Sequence, residues 1–281
     1  MSQFVGFTNE ITPSGFNYQK ACRHGQMLYN VNDMYIGRAL DLYGEVSEDE
    51  FGLLLQLLKP GDVVVDVGAN IGAHSLFFAR HIGPGGRVLA FEPQRLIFYT
   101  LCANMALSSV TNVWCFNCAV GSAAGEITVP ELDPWRTNNF GGLGLGSQLH
   151  GEQVRVVTLD SLNLHSCGLI KIDVEGMERE VLRGAVEVIG RCKPILYVEN
   201  DRQEGARDLI RLIDELGYAM YWHFSPLFNP NNYFANPSNV FGNIASVNML
   251  CIHKSLPSKI EGLRPVDVSG ELPVLVQALP E

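Results

Sequence analysis

Val63-Val64-Val65-Asp66-Val67-Gly68-Ala69-Asn70-Ile71-Gly72-Ala73-His74 reads as a buried strand that runs into a glycine turn and then a helix. The five residues before Gly68 are almost all β-branched, as in a strand covered on both faces. Gly68 and Gly72 let the backbone turn tightly and approach a ligand closely. In an open parallel sheet, ligands sit beyond the carboxyl ends of the strands, where the strand order reverses. Twenty residues after Gly72, Glu92 ends the next strand, where a carboxylate can accept hydrogen bonds from both hydroxyls of a ribose.

The flanking sequence repeats this alternation. Ser47-Glu48-Asp49-Glu50 has the form of a capping box, with Ser47 at the N-cap and Glu50 at N3. It opens a helix whose Phe51, Leu54, Leu55 and Leu58 share one face, closed by Lys59-Pro60-Gly61-Asp62. Downstream, helices are predicted over 73–81, 94–107 (Leu96, Tyr99, Ala103 and Leu107 inward), 178–189 and 205–216. Strands are predicted over 87–91, 113–120, 169–174, 195–199, 218–223 and 247–253. The fold class is therefore α/β, a mostly parallel sheet with helices on both faces. Residues 47–255 form this domain. Residues 1–46 make an N-terminal extension packing on the core, with an extended piece at 27–31. A glycine-rich connection at 130–152 has the length of a lid or binding loop. Residues 256–281, with four prolines, form a tail.

Composition narrows the function classes. The chain has 281 residues, 47% hydrophobic, and a formal net charge of −10, so a polyphosphate backbone is a poor partner and no nucleic acid is expected. Arg202, Arg207 and Arg211 recur at helical spacing among acids, as on a solvated face. The seven cysteines lack framework spacing, and Cys115-x-x-Cys118 has no second pair. They read as buried thiols in a reducing compartment. No export signal opens the sequence, and no run approaches the roughly 20 apolar residues of a membrane span. A cytoplasmic protein with no membrane partner is expected.

Strand, turn and acid fit either a dinucleotide or S-adenosylmethionine. A dinucleotide turn is G-x-G-x-x-G, and here Asn70 and Ala73 occupy the second and third glycine positions. Asp66 at the mouth of the strand would repel a pyrophosphate and attract an ammonium or sulfonium. The sign of that charge favours S-adenosylmethionine. A tight turn in a non-binding protein remains the alternative.

The run from Pro60 to Ser75 resembles the cofactor motif of the FkbM-type methyltransferase family. Further likenesses are Asp33-Met34-Tyr35-Ile36-Gly37, Tyr43-Gly44-Glu45, Phe91-Glu92-Pro93, Asn139-Phe140-Gly141-Gly142, Leu159-Asp160-Ser161-Leu162 and Ile170-Lys171-Ile172-Asp173-Val174-Glu175-Gly176-Met177-Glu178. Together they span roughly residues 30–255, and the joint pattern is specific where each piece alone is weak. The resemblance implies a seven-stranded class I methyltransferase fold with a Rossmann-like sheet. It implies S-adenosylmethionine as donor and usually a hydroxyl acceptor on a sugar, polyketide or similar metabolite. It places Asp66, Gly68, Ala69, Asn70 and Gly72 at the methionine end, Glu92 and Pro93 at the ribose, and Asn117 and Ala119 near the adenine. Glu50 would reach the cofactor too, although its capping role explains it without a ligand.

Methyl transfer to oxygen is an in-line displacement in which the protein aligns the acceptor and takes its proton. A positioned base adds about 10²–10⁴-fold. Asp173, Glu175 and Glu199 are the catalytic candidates, because they end two strands expected to be neighbours and would raise one another's pKa. The same oxygens suit Mg²⁺ as an alternative, although no metal site is assigned. The bland alternative has Glu175 capping the helix near Gly176 and Glu199 paired with Lys171. His223, at a later strand end, is a further candidate at the acceptor side. Trp135, Asn139 and Phe140 suit a lid over a sugar. The leading reading is O-methylation of a small-molecule or glycan hydroxyl. N-methylation and a non-catalytic nucleotide-binding module are the competitors. The apolar stretch 272–279 would suit docking on a second subunit of a homo-oligomer.

Overall fold

The computed structural model describes residues 15–144, 150–257 and 260–269. An antiparallel hairpin, β1 (Asn17–Cys22) and β2 (Gly25–Asn30), comes first, followed by α1 (Ile36–Tyr43) and α2 (Glu48–Leu54). The alternating core follows as β3 (Val63–Val67), α3 (Ala73–Ile82), β4 (Arg87–Phe91), α4 (Arg95–Leu107) and β5 (Val113–Phe116). Three short strands, β6 (Ala119–Val120), β7 (Gly125–Val129) and β8 (Glu152–Val157), form a separate small sheet. The core resumes with β9 (Leu169–Ile172), α5 (Glu178–Arg183), α6 (Val186–Cys192), β10 (Ile195–Glu199) and α7 (Ala206–Glu215). It ends with β11 (Tyr218–Pro226), β12 (Ala245–His253) and a two-residue edge strand, β13 (Arg264–Pro265).

The large sheet has the order β13-β11-β12-β10-β9-β3-β4-β5. Strands β5, β4, β3, β9 and β10 are parallel, and β12 is antiparallel between β10 and β11. From β3 the chain steps outward to β4 and β5, then returns to β9 on the other side of β3. The order therefore reverses between β3 and β9, and the crevice at their carboxyl ends is the expected ligand position. Discounting β13, this is the class I methyltransferase arrangement. Period-two alternation sends Val65, Val67, Ile170 and Ile172 toward α5–α7 and Val64 and Leu169 toward α2 and α3. Tyr197 joins the second face, and both cores are fully desolvated.

Several local readings need correction. The stretch 113–120 is two strands, because Asn117 turns the chain out of the large sheet and Ala119 pairs with Val156 of the small one. The glycine-rich connection joins β7 to β8, neither of which was read; residues 145–149 lie outside the described residues. The helix expected over 178–189 breaks at Gly184 and Ala185, where the Asp160 carboxylate accepts the Glu187 and Val188 amides and caps α6. Helix α4 buries Ile97, Leu101 and Met105, leaving Leu96, Tyr99 and Leu107 exposed. Its rotation is fixed by Asn104, whose side chain binds both backbone groups of Leu28 and the carbonyl of Ile71. Ser47 forms no side-chain cap; its left-handed backbone (φ 59°) turns the hydroxyl away from the helix amides.

All seven cysteines are free thiols, and burial pushes Cys115 up to about 12 and Cys118 up to about 11. No helix among the described residues is long and apolar enough to cross a membrane. The stretch 272–279 lies outside the described residues.

Candidate active site

The turn after β3 abuts the end of β9. Gly68 has a φ of 78°, and a Cβ there would lie 1.7 Å from the carbonyl oxygen of Asp173, so only glycine fits. This contact brings the two loops at the reversal point together. Beside them, Glu92 is a buried carboxylate held by two backbone donors, the amides of Asn70 (3.0 Å) and Gln94 (2.8 Å). Burial pushes its carboxyl up to about 7, and the two amides oppose that rise. The Asn117 side-chain amide donates to the carbonyls of Glu92 and Pro93 and fixes the strand end.

A pocket opens between these pieces. Gly68, Glu92, Pro93, Asp173 and Glu175 line it, with Ala119 and Met177 among its apolar lining. Gly141 and Leu143 of the glycine-rich connection line it as well, and Gly141 is close enough to the Asn70 amide that a Cβ would lie 2.9 Å from Nδ2. Gly141 and Leu143 thus form part of the pocket wall.

Of the residues assigned to the cofactor from sequence, Gly68, Glu92, Pro93 and Ala119 line this pocket. Asn70 and Asn117 act behind the wall through the bonds just described. Ala69 is buried in the core, and Gly72 sits at the N-cap of α3 against Leu101 and Met105. Asp66 is a correction. It is fully buried instead of standing at the strand mouth, since alternation turns it onto the face under α3. There Ser75 Oγ donates to it at 2.6 Å and Lys171 Nζ lies 3.7 Å away. Glu50 is likewise buried and lies outside the pocket lining; its Oε2 is 3.0 Å from His74 Nε2, which replaces the capping role.

Asp173, Glu175 and Glu199 converge, each offering an oxygen within 4.8 Å of the others. Lys171, buried by its cross-strand pairing with Asp66, reaches Asp173 Oδ2 at 3.1 Å. Burial works against its charge, but Asp173, Asp66 and Glu50 outweigh that and hold the ammonium well above its ordinary range. Burial also acts to raise the Asp173 carboxyl, but Lys171 and a hydrogen bond with Glu199 hold it below its ordinary value. Glu199 is pushed well above the carboxylate range, first by burial and then by Asp173 and Glu175. Burial and Asp173 push Glu175 up to about 7 against its ion pair with Arg202. These shifts favour the anion of Asp173 and the protonated form of Glu199, with Glu175 raised to about 7 between them.

The bland pairings do not form. Lys171 takes Asp173 instead of Glu199, and Glu178 supplies the acceptor for the Gly176 amide. The three oxygens match a hard cation in type, but Lys171, Arg202 and the Glu199 proton already compensate them.

The other expected contacts lie elsewhere. Phe140 is in the core, with its carbonyl taking the Gln94 side chain. Asn139 Oδ1 accepts the Gly142 amide, and Trp135 is exposed and edge-on to Phe16. His223 is buried between Tyr197 and Asp49. Sequence reading missed Met177 in the pocket lining, Arg202 beside Glu175, and Tyr197, the buried partner of His223. Tyr197 was legible, since it stands two residues before Glu199 as Lys171 stands two before Asp173.

The family model described as the methyltransferase FkbM domain matches residues 66–220, more than half of the chain and nearly all of this site. The chain belongs to the FkbM methyltransferase family. The 31-O-demethyl-FK506 methyltransferase FkbM of Streptomyces tacrolimicus is 31% identical over 227 residues, covering 68% of this chain and 86% of that protein. Methyltransferase 1 of Beauveria bassiana is 32% identical over 143 residues, covering 43% of this chain and 57% of its own length. The hexuronic acid methyltransferase AglP of Haloferax volcanii is 28% identical over 184 residues, covering 64% and 72%. Methyltransferase FkbM from Methylobacillus flagellatus KT superimposes with a TM-score of 0.47 at 18% identity, covering 69% of this chain and 44% of that one. His223 and β12 lie beyond the span that the family model matches.

Proposed function

We propose that the pocket binds S-adenosylmethionine and that the chain O-methylates a hydroxyl of a sugar, glycan or natural-product metabolite. One observation carries this reading: a mostly apolar pocket that Glu92 and the Asp173 anion both line. A flat purine suits the apolar lining, ribose hydroxyls suit Glu92, and a sulfonium suits Asp173. A pyrophosphate would face both carboxylates. Relatives described as methyltransferases of 31-O-demethyl-FK506 and of hexuronic acid support a hydroxyl-bearing metabolite as acceptor.

When bound, the cofactor supplies an activated methyl group. Asp173, held anionic by Lys171, faces the sulfonium, and the acceptor hydroxyl points its one hydrogen at Glu175. Glu175, poised near 7, takes the proton as the oxygen–carbon bond forms. Burial and the neighbouring Asp173 and Glu175 favour the protonated form of Glu199, which limits the negative charge of the cluster.

Calorimetric titration with S-adenosylmethionine, its demethylated product and NAD tests the pocket. Binding of the first two is expected, and binding of NAD alone would overturn the reading. Asp173→Asn and Glu175→Gln are expected to keep cofactor affinity while turnover falls by about 10²–10⁴-fold. Parent-rate turnover in both variants would refute carboxylate assistance.

A further inference from the structure

One buried polar side chain beside the carboxylate cluster lacks a partner inside the fold. Among the described residues, the buried asparagines are Asn30, Asn104, Asn112, Asn200, Asn232 and Asn248. The first five each donate a side-chain hydrogen bond, to Pro134, to Leu28 and Ile71, to Ala79 and Gly83, to the Met249 sulfur, and to Asn229 and Asn236 respectively. Asn248, only 5% exposed, has no such bond among the described residues. The side-chain oxygens and nitrogens sealed from solvent without a partner are Asp66 Oδ1, Glu199 Oε2 and Ser225 Oγ. Neither amide atom of Asn248 is among them, so both reach open space. The side chain is packed almost to its tip, and what remains open includes both ends of the amide.

Register places this amide at the site. Leu250 and Ile252 pack under α2 and α3, and Asn248, two residues before Leu250, stands on the same face of β12. Its cross-strand neighbours are Glu199 on β10 and His223 on β11. Each lies about one strand spacing away, ~4.8 Å. Neither pairs with it: His223 is held by Tyr197 and Asp49, and Glu199 turns to Asp173 and Glu175. An unpaired asparagine where a further apolar residue would continue the β12 series costs stability, and a ligand oxygen would supply the missing bond.

The cofactor pocket draws its lining from the ends of β3 and β4 and the turn after β9, on the side of Asp173 away from β10 and β12. An acceptor that brings a hydroxyl to Glu175 from outside that pocket therefore lies over β10 and β12. One hydroxyl cannot serve both Glu175 and Asn248, because Glu199 stands between them in the sheet order. A second oxygen on the same molecule can. The amide offers a donor and an acceptor, so it pairs with a neutral hydroxyl and adds no charge to an acidic cluster.

We propose that Asn248 binds a second hydroxyl of the acceptor, on the carbon next to the one that is methylated, so that the site selects vicinal diols over isolated alcohols. The inference rests on the methyl-transfer reading above and narrows its acceptor class.

The test uses the full chain with trans-1,2-cyclohexanediol, whose two hydroxyls are equivalent, and with cyclohexanol, which lacks the second. In the first arm, proton–nitrogen NMR follows the Asn248 side-chain amide, assigned by its loss in Asn248→Leu, with the demethylated cofactor present. The diol is expected to shift this signal saturably, and cyclohexanol at the same concentration to leave it in place. A signal that ignores the diol, or answers both alcohols alike, overturns the inference. In the second arm, conversion of S-adenosylmethionine to its demethylated product is followed with both alcohols. The nearly isosteric Asn248→Leu is expected to lower the ratio of kcat/KM for the diol to that for cyclohexanol by about 10–100-fold, as for one lost hydrogen bond to substrate. A purely structural asparagine would lower both alike, and an unchanged ratio overturns the inference. Asn248→Ala serves the same comparison if leucine unfolds the chain, and where neither alcohol is converted the amide signal decides. A parent chain that binds no S-adenosylmethionine in calorimetry overturns the functional reading instead, and the amide signal, recorded without cofactor, still judges the contact.

Discussion

Glu92 makes the protein's stability depend on pH in a direction opposite to that of most carboxylates. Its carboxyl is raised from 4.5 to about 7, a difference of 7 − 4.5 = 2.5. At 1.36 kcal/mol per unit this is about 3 kcal/mol. Between those values the folded state holds a proton that the unfolded chain has released, so stability falls as pH rises. The contribution is fully present below 4.5 and gone above about 7. Glu92→Gln removes this dependence. It also turns an NH₂ toward one of the two amides that Glu92 now accepts, which costs about 1–3 kcal/mol at every pH. The informative quantity is therefore the slope of stability against pH, not its absolute value. Urea unfolding of both proteins without cofactor, at half-unit steps from pH 4.5 to 8, measures it. The parent is expected to lose about 3 kcal/mol more than the variant across that window. Parallel curves would refute the claim that Glu92 is protonated in the empty pocket.

Two further outcomes follow from the same geometry. Lys171→Met strands Asp66 and Asp173 without their cation and is expected to cost about 3–5 kcal/mol, read by urea unfolding at pH 7. Gly68→Ala forces a left-handed alanine against the Asp173 carbonyl and is expected to cost at least about 1–2 kcal/mol. It should also weaken cofactor binding in calorimetry, since the β3 and β9 loops must part.

Much of the frame was legible because its signals are strong and local. The run Val63–Val67 can hardly be anything but a doubly covered strand, and β4 begins and ends where the alternation placed it. The carboxylates Asp173 and Glu199 were legible for the same reason, Glu199 being the last residue of β10 and Asp173 the residue that follows its parallel neighbour β9. Rotations and pairings were harder, because they depend on partners distant in sequence. Asn104 decides which face of α4 is buried, and its partners are Leu28 and Ile71. The small sheet was missed although Val154 and Val156 alternate cleanly, because its strands are separated by the long glycine-rich connection. Ser47 misled because a capping box specifies residue types, whereas a cap also needs an extended N-cap backbone that Ser47 lacks.

The electrostatic reading of the site survives with its charge moved. Asp66 suggested an anion beside the turn, but its charge is spent on Lys171 beneath the sheet surface. Lys171 carries one positive charge between two carboxylates, so the trio with Asp173 keeps a net charge of about −1. Asp173 is the member that lines the pocket, so the unbalanced charge is presented there. A lone surface carboxylate would offer the same charge but would be screened and mobile. Fixing it through a fully buried lysine holds the anion in place before any ligand arrives. On the proposed function that matters because a fixed anion both attracts a sulfonium and holds its methyl group at a defined place beside Glu175. It also explains why a chain would bury Asp66 at all. After Asp173, Asp66 is the second charge that offsets the burial of the Lys171 ammonium, and so it helps keep a charged partner beside Asp173.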